Sequence, residues 1–199
     1  MDYLLGTTKN PQESLEKAIE LTQKAIAVDE DFPDGHSYLG WFYSLKGEYD
    51  KAVTEGERAV VLNPSGAELY SRYGNILAAS GRPDEAIPML QKAIRLNPFA
   101  PSWCFLFLGQ ALRITGQFEE AVSALKKAIQ LAPDDIRAHF DLAATYIMMG
   151  REKEARAEAA EVLRINPKFS LDYWPWMLSY KDQSQTDKYI NALRKAGLK

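Results

Sequence analysis

The sequence predicts an all-α fold, an alpha-alpha superhelix of helical hairpins stacked in tandem, and three observations predict it. Proline recurs at Pro64, Pro98, Pro133 and Pro167, at spacings of 34, 35 and 34 residues. Glycine recurs at Gly47, Gly81, Gly116 and Gly150 with the same spacings, 34, 35 and 34. Between these markers, apolar or small residues fall at i, i+3, i+4 and i+7, as at Leu39, Gly40 and Tyr43 or at Ala52, Gly56 and Ala59, which is helical spacing. No segment suggests a strand.

Taken in order, residues 1–32 form a partial unit. Leu5 and Gly6 take the places later held by Leu39 and Gly40, and Ala18, Ala25 and Val28 those of Ala52, Ala59 and Leu62. Asn10, Pro11 and Glu13 give the second helix of this unit a cap, a first-turn proline and a capping-box acid. The chain thus opens inside a unit, and the natural protein is expected to continue upstream of Met1. Four full units follow, at 33–66, 67–100, 102–135 and 136–169, with Pro101 inserted between the second and third. Each consists of a helix, a glycine, a second helix and a proline. The glycine supplies the left-handed residue that closes the first helix, and the proline falls just past the second, where it stops the helix harmlessly. The second helices, from YDKAVTEGERAVVLNP to KEARAEAAEVLRINP, align on Ala52, Ala86, Ala121 and Ala155. Small residues at Gly40, Gly74, Gly109 and Ala143 let the paired helices approach closely. Pro88, inside the second helix of the second unit, is expected to kink it on an outward face.

The frame breaks at residues 170–199, a C-terminal helical cap. Ser184 with Asp187 is expected to cap a last helix with the stripe Tyr189, Ile190 and Leu193, ending before Gly197. The aromatic cluster Phe169, Tyr173, Trp174, Trp176 and Met177 is either the lid over the last unit or a protein or dimer contact.

Leu39, Gly40, Tyr43, Ala52, Ala59 and Pro64, repeated four times, resemble the tetratricopeptide repeat. The ending FSLDYWPWMLSYKDQSQTDKYINALRKAGLK, with the LRxNP joints, resembles the C-terminal repeat region of bacterial multidomain signalling proteins. In those, similar repeats follow a nucleotide-cyclase or winged-helix DNA-binding domain. The repeat resemblance implies a concave groove lined by the first helix of each unit. Its positions here are Asp34, Ser37, Trp41 and Ser44, then Glu68, Ser71, Asn75 and Ala78, then Trp103, Leu106, Gln110 and Arg113, then Arg137, Phe140, Ala144 and Ile147. Asn75 and Gln110 suit an extended peptide backbone, and Trp41 and Trp103 offer apolar contact area; simple solvation is the alternative for the two amides. The partner-binding groove is therefore expected to comprise Trp41, Ser71, Asn75, Trp103, Leu106, Gln110, Arg113, Arg137 and Phe140. The carboxylate clamp of chaperone-binding relatives is absent, because its first Lys and Asn places hold Ser37 and Trp41.

Chemistry of other kinds finds no residues. His36 and His139 occupy one repeat position, shared with Tyr70 and Phe105, so a packing role is expected for both. Cys104, the single cysteine, has no neighbouring base in sequence and cannot form an intrachain disulfide. The acid pairs Glu119 with Glu120 and Asp134 with Asp135 start helices, where negative charge meets the helix dipole. No phosphate loop or metal-ligand spacing occurs, so neither an enzyme nor a cofactor is expected. Residues 1–65 hold 12 acids against 6 bases, an imbalance that disfavours nucleic acid. Apolar runs are too short to span a membrane and no signal peptide is evident, which makes the cytoplasm the expected compartment. The expected partner is a protein, a peptide or another domain of the parent chain. The alternative role is self-association, as a homodimer or larger scaffold for an upstream domain.

Overall fold

The computed structural model describes residues 10–173 and 180–199. Leu5, Gly6, Trp174, Trp176, Met177 and the side chain of Tyr173 lie outside the described residues. Among the described residues, ten α-helices follow in order: α1 (Pro11–Val28), α2 (Pro33–Lys46), α3 (Tyr49–Leu62), α4 (Ala67–Ala79), α5 (Pro83–Leu96), α6 (Ser102–Ile114), α7 (Phe118–Leu131), α8 (Ile136–Met148), α9 (Glu152–Ile165) and α10 (Gln183–Ala196). A short 3-10 turn covers Leu171–Tyr173. The described residues contain no strand.

The repeated glycines close each first helix in the left-handed region, with φ of 81° at Gly47 and 80° at Gly116. A side chain there would be strained, so the sharp reversal into the next helix selects glycine. Within each hairpin the helices meet at the small residues. A Cβ on Gly40 would come 2.8 Å from the Ala52 carbonyl oxygen, and one on Gly109 would come 2.6 Å from Leu125 Cγ. The partnering Ala52, Ala86, Ala121 and Ala155 are each fully buried. At the joints, Asn63, Asn97 and Asn166 accept a backbone N–H two residues on, from Ser65, Phe99 and Lys168. Each side chain thus folds its own turn.

The first helices of successive hairpins touch one another, α2 on α4, α4 on α6 and α6 on α8, while the second helices hardly meet their counterparts. The stack therefore curves with α2, α4, α6 and α8 on its inner side. Upstream, Asn10 caps α1 by accepting from the Glu13 amide at 3.2 Å, and Glu13 answers on the Asn10 side chain rather than on its backbone. α1 packs on α2 through Leu15 and Ile19, yet Ala25, Leu21 and Val28 remain exposed. α5 runs from Pro83 to Leu96 with Pro88 exposed on its outer face.

Two details differ from expectation. The cap of α10 is Asp182, which accepts from the Ser184 amide at 2.9 Å; Asp187 accepts instead from the Gln183 side chain. An aspartate two residues upstream meets the free N–H groups better than a serine already inside the first turn. The histidines are buried as packing residues would be, but each is also bonded at both ring nitrogens. His36 Nδ1 lies 2.6 Å from Glu55 Oε2 and Nε2 lies 3.0 Å from the Glu30 carbonyl. His139 repeats this with Glu158 at 2.7 Å and the Pro133 carbonyl at 2.9 Å. Each ring thus staples its hairpin's second helix to the turn that precedes the hairpin.

Candidate partner-binding groove

The inner helices present their residues in register. Tyr38, Arg72, Phe107 and Asp141 share one repeat position; Trp41, Asn75, Gln110 and Ala144 share another; Ser44, Ala78, Arg113 and Ile147 a third. Over α2 and α4 the floor is small. Ser37 and Ser71 are 1% and 0% exposed, and Arg72 donates to Ser37 Oγ at 2.7 Å while lying 4.2 Å from the Tyr38 ring centroid. Trp41 is half-buried, packed beside Phe42 with centroids 5.4 Å apart. Asn75 is half-buried, and its side chain makes no hydrogen bond among the described residues. On α6, Trp103 is half-buried against Phe107 at 5.8 Å. Ser71 sits beside Cys104 of α6, whose thiol is buried and pushed up by that burial, so no reactive thiolate is held there.

Over α6 and α8 the inner face is filled by the chain itself. α10 packs chiefly on α8, with a smaller contact to α9 at the end of the stack, and brings Tyr189 and Leu193 to full burial. Tyr189 donates to Asp141 Oδ1 at 2.5 Å, and Gln110 donates to Asp141 Oδ2 at 2.7 Å. Arg113 lies 3.7 Å from Asp141, donates to the Tyr180 hydroxyl at 3.0 Å, and covers the Tyr189 ring at 4.1 Å. Side-chain exposures of 1% and 0% make Arg113 and Asp141 a buried ion pair. Burial pushes the Asp141 carboxyl up, against the pull of Arg113, Tyr189 and Gln110. Phe140 meets Phe169 in a tilted contact at 6.0 Å and Tyr189 edge-on at 6.5 Å between centroids. Ahead of α10, the Lys181 amide donates to the Ala79 carbonyl at 2.9 Å, so this segment reaches back to α4.

The expected groove residues therefore divide. Trp41, Asn75 and Trp103 retain exposure on the inner side, and Arg137, partly exposed, is held by a double hydrogen bond to Asp135. Gln110 is spent on Asp141. Leu106, Arg113 and Phe140, at 1%, 3% and 2% exposure, and Ser71 are interior residues, which corrects their reading as open contacts. For Arg113 and Phe140 the cover is α10 and the segment around it. For Ser71, beside Cys104, it is the neighbouring inner helix. Sequence reading missed Asp141, the hub of this arrangement. The signal was present, because an acid stands at a position held by Tyr, Arg and Phe in the other units.

Two family models, each described as tetratricopeptide repeat, match residues 65–134 and 112–174; together they cover residues 65–174, 110 of 199. No curated protein sequence matches the chain. Several solved structures share its fold. PilW, a widely conserved type IV pilus biogenesis factor, aligns with a TM-score of 0.74 at 20% identity over 98% of this chain and 87% of its own. TTC0263, a thermophilic TPR protein of Thermus thermophilus, gives 0.70 at 24% identity over 96% and 93%. YrrB, described as a TPR protein with an unusual peptide-binding site, gives 0.59 at 25% identity over 90% and 92%. Hairpin register, helix order and matching models agree, and residues 65–174 are tetratricopeptide repeats.

Proposed function

We propose that this chain is a non-catalytic protein-interaction module that takes a peptide segment or partner domain on the inner face of its first hairpins. The observation that carries this reading is the division of the groove. A helix occupies its far half through side-chain hydrogen bonds and apolar contact, while Asn75 and Trp41 in the near half, and Trp103 at the start of α6, keep unused bonding capacity and contact area. The unusual peptide-binding site of YrrB, on a similar fold, supports the same use of the surface. Resemblance of the C-terminal stretch supports placement within a larger bacterial signalling protein, behind a cyclase or winged-helix domain. Asn75→Ala and Trp41→Phe should each weaken an identified partner at least tenfold and leave thermal unfolding unchanged; equal affinity in both variants removes the groove assignment. Arg113, buried in the ion pair, is no surface probe.

Self-association is the second reading, and the exposed apolar residues of α1 favour it: Leu21 is 54% and Val28 89% exposed. Light scattering across a concentration series checks it, since a concentration-independent monomer removes this reading.

A further inference from the structure

We infer that α10 is a resident ligand of the groove, exchangeable with an external amphipathic helix that presents a tyrosine hydroxyl and, four residues later, a leucine. This rests on the groove reading above and names the class of ligand for its far half. Three features of the contact carry it. First, beside its apolar residues it holds a polar centre where a permanent core would be apolar: Asp141, Arg113, Gln110, Tyr180 and Tyr189 meet in one buried network. A buried ion pair contributes little net stability compared with an apolar filling of the same volume. Water can rehydrate all five groups when the helix leaves, so vacating the site costs less than its buried area suggests. Second, the network is incompletely bonded. Arg113 Nε is, with Ser71 Oγ, a buried side-chain polar atom lacking a hydrogen-bond partner among the described residues. A different helix, with an acceptor in reach of that N–H, would satisfy it better than α10 does. Third, α10 sits chiefly on α8, one of the inner helices that this architecture offers to partners, and meets α9 over a smaller contact. A helix serving only to hide the last hairpin would lie mainly on α9, as α4, α6 and α8 lie on the second helix of the hairpin before them.

The recognition elements follow from the bound state. A tyrosine reaches Asp141 and lies under Arg113, as Tyr189 does. A leucine one turn on fills the place of Leu193, and small residues match Ala192 and Ala196. An external helix with this pattern competes with α10 for one site, so the chain is self-blocked in its free state.

Hydrogen exchange on the whole chain, combined with binding of a fluorescent peptide of residues 180–199, tests this. If α10 is exchangeable, its amides exchange at least tenfold faster than those of α8. The peptide then binds the Tyr189→Phe chain at least tenfold tighter than the wild type, and adding Asp141→Asn abolishes the gain. A common exchange rate for α10 and α8, or no peptide binding to either chain, overturns the inference. So does conversion of the variant to a dimer, which would assign the site to a second copy. If Tyr189→Phe does not fold, Tyr180→Phe replaces it, because it deletes only the hydroxyl contact to Arg113. None of these measurements involves Asn75 or Trp41, so they can fail while the near-half reading stands.

Discussion

The two halves of the inner face are built on the same backbone and differ in what lies over it. Over α2 and α4, small buried serines and the Arg72–Tyr38 contact leave a shallow surface with Asn75 unbonded. Over α6 and α8, the same repeat positions carry Gln110, Arg113, Phe140 and Asp141, and a helix of the chain has closed over them. A repeat position fixes where a side chain emerges. Whether that side chain is core, contact or solvated surface depends on the next layer, which the repeat does not specify.

The sharpest way to break this comparison is to cut one residue at the same repeat position in each half. Asp141→Ala leaves Arg113 buried without its counter-charge and should destabilise by about 3–5 kcal/mol. Arg72→Ala loses one hydrogen bond and a half-exposed cation–π contact, and should destabilise by about 1–2 kcal/mol. Urea denaturation of both variants measures the difference, and equal losses would mean that the two halves are equally closed.

His139→Phe, a change to the residue that Phe105 already places at that position, should cost about 1–3 kcal/mol in mildly acidic buffer. The hydrogen bond that the His139 ring donates to Glu158 raises its pKa above the usual range. A group with a raised folded pKa stabilises fully below its unfolded value, near 6.5, and loses that contribution as pH rises through the folded value. The gap between wild type and His139→Phe should therefore shrink from pH 6 toward alkaline pH in thermal melts at about single-unit steps. A gap that widened would mean that the ring is held neutral. Gly109→Ala, which drives a methyl into Leu125, should destabilise by about 1–3 kcal/mol and report on hairpin closure without touching α10. Smallest of all, Asn75→Ala should change stability by less than about 0.5 kcal/mol, because no bond is lost. Its effect belongs in partner affinity.

Much of this was legible in the sequence because it is local or periodic. The Gly47 and Gly116 reversals, the Ala52 and Ala121 contacts and the Asn10 cap each involve residues a few positions apart or repeat at a fixed interval. The docking of α10 was not legible. Tyr189 and Asp141 are 48 residues apart, and Arg113 and Tyr180 are 67 apart; no local pattern announces either pair. The Tyr189, Ile190 and Leu193 stripe shows that a helix needs cover but not which face provides it. The histidines lay between these cases: burial followed from the shared position with Tyr70 and Phe105, whereas the bonds to Glu55 and Glu158 belong to histidine alone.

A chain of hairpins that touch only their neighbours can fold from any point and fray from either end, since stability is then a sum over adjacent units. The segment that begins at Tyr180 removes this independence. Lys181 meets Ala79 through its backbone and Asp50 through its side chain, a contact 131 residues apart in sequence. Contacts of such separation raise the contact order and slow the closing step of folding. The C-terminal segment therefore couples the first hairpin, through Asp50, to the second, third and fourth, and in the closed state they should unfold as one cooperative block, with α1 free to fray ahead of them.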